Sequence, residues 1–174
     1  MSLSGLMEDL IRISAQYLHV FAGLLWIGGG FYTLLIQTPA LLAVPPQARG
    51  PVMAQLVPRQ INYLLRLGEF TILTGFINLL ASGKARLLEN VFSSRWGITI
   101  VLGAAMAIAL LIVVHTVVKP SAMRLLELGP KAAQGDPAAQ MEIPAIIERL
   151  RQIGQVQLAL GVLIVLAMVI ARFS

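Results

Sequence analysis

The sequence of 174 residues contains no cysteine. This absence excludes disulfide bonds, thiolate metal sites and thiol nucleophiles, so any metal or cofactor must be held by other side chains. Charged residues are scarce as well: they make up 12% of the chain, whereas roughly 25% is usual in a soluble domain, and 57% of the residues are hydrophobic. The sequence has no phosphate-binding loop, nucleophile–base triad or paired-carboxylate motif. The composition therefore indicates a protein that lies mainly in lipid.

Three long stretches, 13–48, 96–118 and 152–171, carry no charged residue. Each exceeds the roughly 18 apolar residues that mark a bilayer crossing, so each predicts a membrane-spanning helix. A fourth stretch is apolar after an arginine and a glutamate in its first turns. We therefore predict an all-α integral membrane bundle in up-down-up-down order, forming one transmembrane domain over 1–174. The four predicted helices are 15–38, 62–82, 96–118 and 153–171.

Four crossings place the N-terminus, the short 83–95 link and the C-terminus on one side of the membrane. All nine prolines fall in the connections on the other side, 39–61 and 119–152. Because proline breaks helices, we expect irregular connections there, apart from a short interfacial helix at 143–151. The proline-rich side has eight lysines and arginines and the other side has five, which predicts that both termini lie outside the cytoplasm.

The net charge of +5 does not indicate a nucleic-acid partner. The basic residues flank the hydrophobic spans and do not cluster with aromatic residues, so contact with lipid headgroups explains them better. The lipid bilayer is therefore the first expected partner.

Six residues of the first helix recur at spacings of four, three, four, three and four, which places them on one helical face. The rest of the helix is apolar, so this inward stripe should point into the bundle. Gly23, one turn beyond His19, leaves space for a flat macrocycle, as expected beside a haem-ligating histidine. The other interpretation is that glycine allows close helix packing and that a buried His19 hydrogen-bonds a neighbour. The inward stripe consists of His19, Gly23, Trp26, Gly30, Thr33 and Gln37.

An ionisable residue inside a membrane favours a functional role, which favours the ligand interpretation of His19. If His19 binds haem, depth selects Met168 as the second axial ligand, with Met106 as the second choice. We expect Asn78 or a backbone carbonyl to hydrogen-bond the other ring nitrogen of His19. Ordinary packing is the alternative role for both methionines.

His115, near the end of the third helix, is a second metal-competent side chain. About 14 residues of rise, or roughly 20 Å, separate it from the depth of His19, so one haem cannot easily join both. We expect His115 to lie beside a partly buried Arg66–Glu69 pair in a polar pocket; the alternative is an interfacial histidine in contact with headgroups. The predicted polar pocket contains Gln37, Arg59, Arg66, Glu69, His115, Gln155 and Gln157.

The run Tyr17–Tyr32, YLHVFAGLLWIGGGFY, resembles the first-helix motif of a group of bacterial membrane proteins. The group includes the membrane domain of the cytochrome-c-linked urate oxidases, the copper-resistance D family and the HemJ-type protoporphyrinogen oxidases. The resemblance is strongest to the first and covers about the first half of the chain. It continues in Gln37-Thr38-Pro39, Leu56-Val57-Pro58-Arg59, Arg66 and Thr74-Gly75.

The resemblance implies a helical membrane bundle in the bacterial inner membrane, with His19 as a haem b ligand and redox chemistry. The sequence contains no Cys-x-x-Cys-His motif, which argues against urate oxidation. We expect electron transfer between a quinone-like or small organic donor and a redox partner protein. The alternatives are a copper-handling protein that uses His19, His115 and methionines, or a non-catalytic membrane subunit. A second copy of the chain is a further candidate partner, in a homo-oligomer.

Overall fold

A computed structural model describes residues 3–83 and 92–174, and all regular structure in that part of the chain is helical. The predicted all-α fold with four long helices is confirmed. The predicted 83–95 link falls mostly outside the described residues. In chain order the segments are α1 (Leu3–Tyr32), a first π turn (Thr33–Gln37), α2 (Thr38–Ala43), α3 (Pro46–Ala81), α4 (Arg95–Val113), a second π turn (Val114–Val118), α5 (Lys119–Ala133) and α6 (Pro137–Arg172).

These segments form four continuous helices, each long and apolar enough to cross a membrane. The first helix joins α1, the first π turn and α2; the second is α3; the third joins α4, the second π turn and α5; the fourth is α6. A helix of 36 residues is about 54 Å long, whereas the hydrocarbon core of a bilayer is about 30 Å thick. The helices therefore extend well beyond the hydrocarbon.

The predicted irregular connections are wrong, because the second helix begins at Pro46 and contains Pro51 and Pro58. A proline at the start of a helix costs little, since its missing N–H would have no partner there. Each interior proline loses one hydrogen bond and crowds the carbonyl four residues earlier. The second helix packs closely on the first, and tertiary contacts of this kind commonly override local propensity.

The second connection is also more helical than expected. The fourth helix begins at Pro137, where the Asp136 carboxylate caps it by accepting from the backbone N–H groups of Ala138 and Ala139. The predicted interfacial helix at 143–151 is part of this continuous fourth helix, and Pro144 lies inside it.

Each π turn precedes a proline by the same interval. In the first, the N–H of Thr38 donates to the carbonyl of Thr33, five residues back, and Pro39 follows. In the second, the N–H of Lys119 donates to the carbonyl of Val114, and Pro120 follows. A local π turn is one of the adjustments by which a helix accommodates a proline ring.

The bundle is built from two antiparallel pairs: the first helix packs mainly on the second, and the third mainly on the fourth. The pairs meet at a core that includes Trp26, Ala107, Leu110 and Ile164. Small residues allow close approach, as where Gly161 faces Phe31. Large apolar side chains are exposed around the outside, as expected for a surface in contact with lipid.

The third and fourth helices continue together beyond the core on the proline-rich side. Leu128 and Ala139 are buried between them, at 3% and 1% exposure. The Arg124 guanidinium donates two hydrogen bonds to the Glu142 carboxylate, at 2.8 and 2.9 Å. This bidentate geometry fixes the orientation of the two helix ends.

Four crossings predict that both termini lie on one side of the membrane and the α5–α6 turn on the other. Because the chain has no cysteine, single cysteines introduced by Leu3→Cys, Gln134→Cys and Ser174→Cys can be labelled specifically. An impermeant maleimide added to sealed vesicles should label the two terminal sites from one side and residue 134 only from the other. All three should react after solubilisation. Terminal cysteines that react from opposite sides would contradict four crossings.

Candidate functional site

The His19 side chain of the first helix lies against the second helix. Its Nδ1 atom is 2.9 Å from the backbone carbonyl oxygen of Thr71. Because a carbonyl oxygen can only accept, Nδ1 carries the proton and donates it to this bond. In the neutral imidazole this bond leaves the lone pair on Nε2, which is the tautomer required of a metal-ligating histidine.

The second helix provides a specific place for this ring at Gly75. A Cβ atom at Gly75 would lie 2.8 Å from His19 Cε1 and 3.0 Å from Nδ1, so a larger residue would displace the imidazole. The Thr74 hydroxyl donates to the Phe70 carbonyl at 2.7 Å and also lies 3.1 Å from the Thr71 carbonyl oxygen, and both threonines are buried. We call His19, Thr71, Thr74 and Gly75 the histidine site.

Gly23 and Asn78 lie on either side of the histidine site. A Cβ atom at Gly23 would meet Thr71 Cγ2 at 3.6 Å, an ordinary van der Waals contact, and a macrocycle beside Gly23 stays a prediction. The Asn78 amide donates to Gln16 Oε1 at 2.7 Å, whereas a backbone carbonyl is the partner of His19.

His19 and His115 lie at different depths in the bundle. Trp26 and Leu111 both lie against Gly68, which places them at the same depth. His19 is seven residues before Trp26, and His115 is four residues after Leu111. The Cα atoms of the two histidines are therefore about 16 Å apart along the bundle, and their contacts on the second helix, Gly75 and Glu69, are about 9 Å apart, so a single haem does not join them.

The predicted second ligand, Met168, lies within about one helical turn of His19 in depth. This follows from the fourth helix, where Gly161 faces Phe31 and Ile27 of the first helix. The Met168 methyl group packs on Gly103 of the third helix. Among the described residues no three histidine or carboxylate side chains gather into a metal site. Ligation by His19 together with Met168 stays a prediction.

The residues of the predicted polar pocket are distributed over several places. Arg59 hydrogen-bonds the backbone and side-chain oxygens of Gln55, both at 2.7 Å, on an exposed surface. Gln155 is exposed as well. Gln37 lies between the first and second helices, where it pairs with Gln60.

Glu69 joins the second helix to the third. Its carboxylate lies 3.4 Å from His115 Nε2 and 3.7 Å from Arg66 Nη1, within ion-pair distance of both. His115 Nδ1 is 3.3 Å from the Leu111 carbonyl oxygen. The Arg66 side chain is 85% exposed, so the expected partly buried Arg66–Glu69 pair is an exposed one. His115 is the closer partner of Glu69.

A cavity of about 130 Å³ lies where the two helix pairs meet. Three residues of the inward stripe, Trp26, Gly30 and Thr33, line it, together with Gln60 and Gln157. The Gln60 amide donates to Thr33 Oγ1 at 2.5 Å and to the side-chain oxygen of Gln37 at 2.8 Å. We call this space the ring cavity, because Trp26 forms one wall.

The sequence interpretation missed Gln60 because it placed residues 39–61 in an irregular connection. One signal was available: Gln60, Leu64 and Leu67 are spaced four and three, as on one face of a helix. Pro58, immediately before this pattern, concealed it.

No family model matches the chain, and neither does any curated protein or solved structure. The fold and the sites define the class as a four-helix membrane bundle with one histidine in a metal-ligating tautomer. Its function is therefore argued from the sites alone.

A double-mutant cycle in detergent should show that His115, rather than Arg66, is coupled to Glu69. Exposed ion pairs usually contribute only about 0.2–1 kcal/mol, and Arg66 has the longer distance and the more exposed side chain. We expect the Glu69→Gln/His115→Gln cycle to give the larger coupling free energy in SDS unfolding titrations. The Arg66→Gln/Glu69→Gln cycle is the matched control, and a larger coupling there would contradict this assignment.

Proposed function

We propose that this chain is an integral membrane haem b protein that transfers electrons, with His19 as an axial ligand. One observation carries the proposal: the Nδ1–H group of His19 donates to the Thr71 carbonyl and leaves Nε2 for a metal. Ligating histidines generally donate their other ring N–H to a carbonyl or carboxylate in this way. The position of His19 inside an apolar bundle also favours a functional role.

The donor chemistry fits haem. Haem bound through one histidine, or through histidine and methionine, supplies one-electron transfer. The chain's own part is to hold the imidazole: the Thr71 carbonyl fixes its tautomer and Gly75 leaves room for the ring. Met168, at a similar depth, is the proposed second ligand.

The ring cavity does not serve this purpose. Its volume of about 130 Å³ is below the roughly 300–1,000 Å³ of pockets that take drug-sized ligands, and a macrocycle is of that size or larger. Trp26 and Gly30 line this cavity, so the proposal assigns them no direct contact with haem.

The proposal includes the bacterial inner membrane as the location and a quinone or a redox protein as the partner. Both termini are assigned to the non-cytoplasmic side, because the opposite side carries eight of the thirteen lysines and arginines. A copper site that uses both histidines is less favoured, since His19 and His115 contact the second helix at Gly75 and Glu69, about 9 Å apart along that helix.

Removal of the imidazole should abolish haem binding. Protein with His19→Ala, purified from haem-replete cells, should lose most of its Soret absorbance relative to protein absorbance at 280 nm. His115→Ala is the matched control, because it removes the other histidine and should leave the haem content unchanged. A normal Soret band in His19→Ala would sink the proposal.

The geometry of the histidine site gives a finer test. Gly75→Ala places a methyl group within 2.8 Å of the imidazole and should displace it, whereas Gly23→Ala makes only an ordinary 3.6 Å contact with Thr71. Changes at groups that orient a metal ligand typically cost about 10–100-fold in affinity. Haem titration should therefore show this loss for Gly75→Ala and nearly unchanged affinity for Gly23→Ala. Equal affinities in the two variants would contradict the assigned role of Gly75.

A further inference from the structure

The ring cavity has the size of a single six-membered ring. Its volume is about 130 Å³, and an engineered apolar protein cavity of about 150 Å³ is known to bind benzene. A larger ligand could place only one ring inside it. The indole of Trp26 and the side chain of Leu110, both about 6% exposed, form apolar walls.

One end of the cavity is polar. Gln60 is satisfied there by Thr33 and Gln37. Gln157, on the fourth helix, also lines the cavity and is partly buried. Its amide makes no hydrogen bond with any of the described residues, although a polar group inside a membrane bundle is costly to leave unpaired. The Gln157 amide is therefore available to a ligand.

Both π turns contribute to the same cavity. Thr33 and Leu34 of the first π turn line it, and so do Val114 and Val118 of the second. Single π turns occur frequently at functional sites, because they change the direction of side chains within an otherwise regular helix. Two of them at one cavity favour a binding role over a simple packing defect.

We propose that the ring cavity binds one uncharged ring that carries a carbonyl or hydroxyl oxygen, as in a benzoquinone or a phenol. The ring packs against Trp26, and its oxygen hydrogen-bonds the Gln157 amide. Among the described residues that line the cavity none is charged, so charged ligands are disfavoured. This site is separate from the histidine site and does not depend on haem binding at His19.

Trp26 itself reports on occupancy. The chain has two tryptophans, so Trp96→Phe leaves Trp26 as the single fluorophore. The probe is 1,4-benzoquinone, an efficient fluorescence quencher, added to the Trp96→Phe protein in nanodiscs. We expect saturable quenching above the linear quenching caused by partition into lipid.

Two glycines of the first helix provide a matched pair of variants. Gly30 lines the cavity and Gly28 is exposed outside it, and a Cβ atom at either position would meet no atom within 4 Å. Gly30→Val should fill the cavity and abolish saturable quenching, whereas Gly28→Val should retain it. Gln157→Leu should weaken binding roughly tenfold, the value of one hydrogen bond.

A second titration uses an isoprenoid-tailed benzoquinone in the nanodisc lipid. It distinguishes a membrane quinone from a free ring compound as the ligand. Saturation by the tailed probe assigns the site to a membrane quinone headgroup, and saturation by the soluble probe alone assigns it to a free ring. Linear quenching by both probes in the Trp96→Phe protein would overturn the proposal, as would equal behaviour of Gly30→Val and Gly28→Val. Because the measurement does not use His19, it remains decisive whether or not the chain binds haem.

Discussion

Two ring side chains of the first helix lie on two glycines of the second, and the rest of the structure depends on this contact. His19 lies on Gly75, and Trp26 lies on Gly68. The two ring residues are seven positions apart in the first helix and the two glycines are seven positions apart in the second, as expected where antiparallel helices pack side by side. A Cβ atom at either glycine would come within 2.8 Å of a ring atom. The contact therefore fixes the register of the two helices. It places the His19 Nδ1–H at the Thr71 carbonyl and Trp26 at the wall of the ring cavity.

The number of helices was predictable because burial in lipid forbids unpaired charge over a whole span. Stretches 96–118 and 152–171 have no charged residue and are helical throughout. The helix ends were not predictable in the same way. Pro46 was compatible with either a connection or a helix start, and Pro58 lies inside a helix although a proline there loses a backbone hydrogen bond.

The sequence predicted which site residues share a face of the first helix, but it did not predict which residues of other helices they contact. Spacings of three and four placed His19, Trp26 and Thr33 on one face, and in the structure all three are buried or partly buried. Their partners come from other helices, and local periodicity carries no information about which residues meet across an interface. Neither the Thr71 carbonyl nor the contact of Gln60 with Thr33 could be inferred from local pattern, since both depend on the register of two helices.

The π turns also bear on how such a chain tolerates insertion and deletion. A π turn has one residue more than the α-helical turn that it replaces, so each is equivalent to a single-residue insertion within a continuous helix. The turns at Thr33–Gln37 and Val114–Val118 each absorb that residue just before a proline, without interrupting the helix. Loss of that residue would return the turn to α-helical geometry, and the later side chains of the helix would keep the faces they have now. The two π turns are therefore the points at which these membrane helices can gain or lose a single residue without changing how they pack on their neighbours.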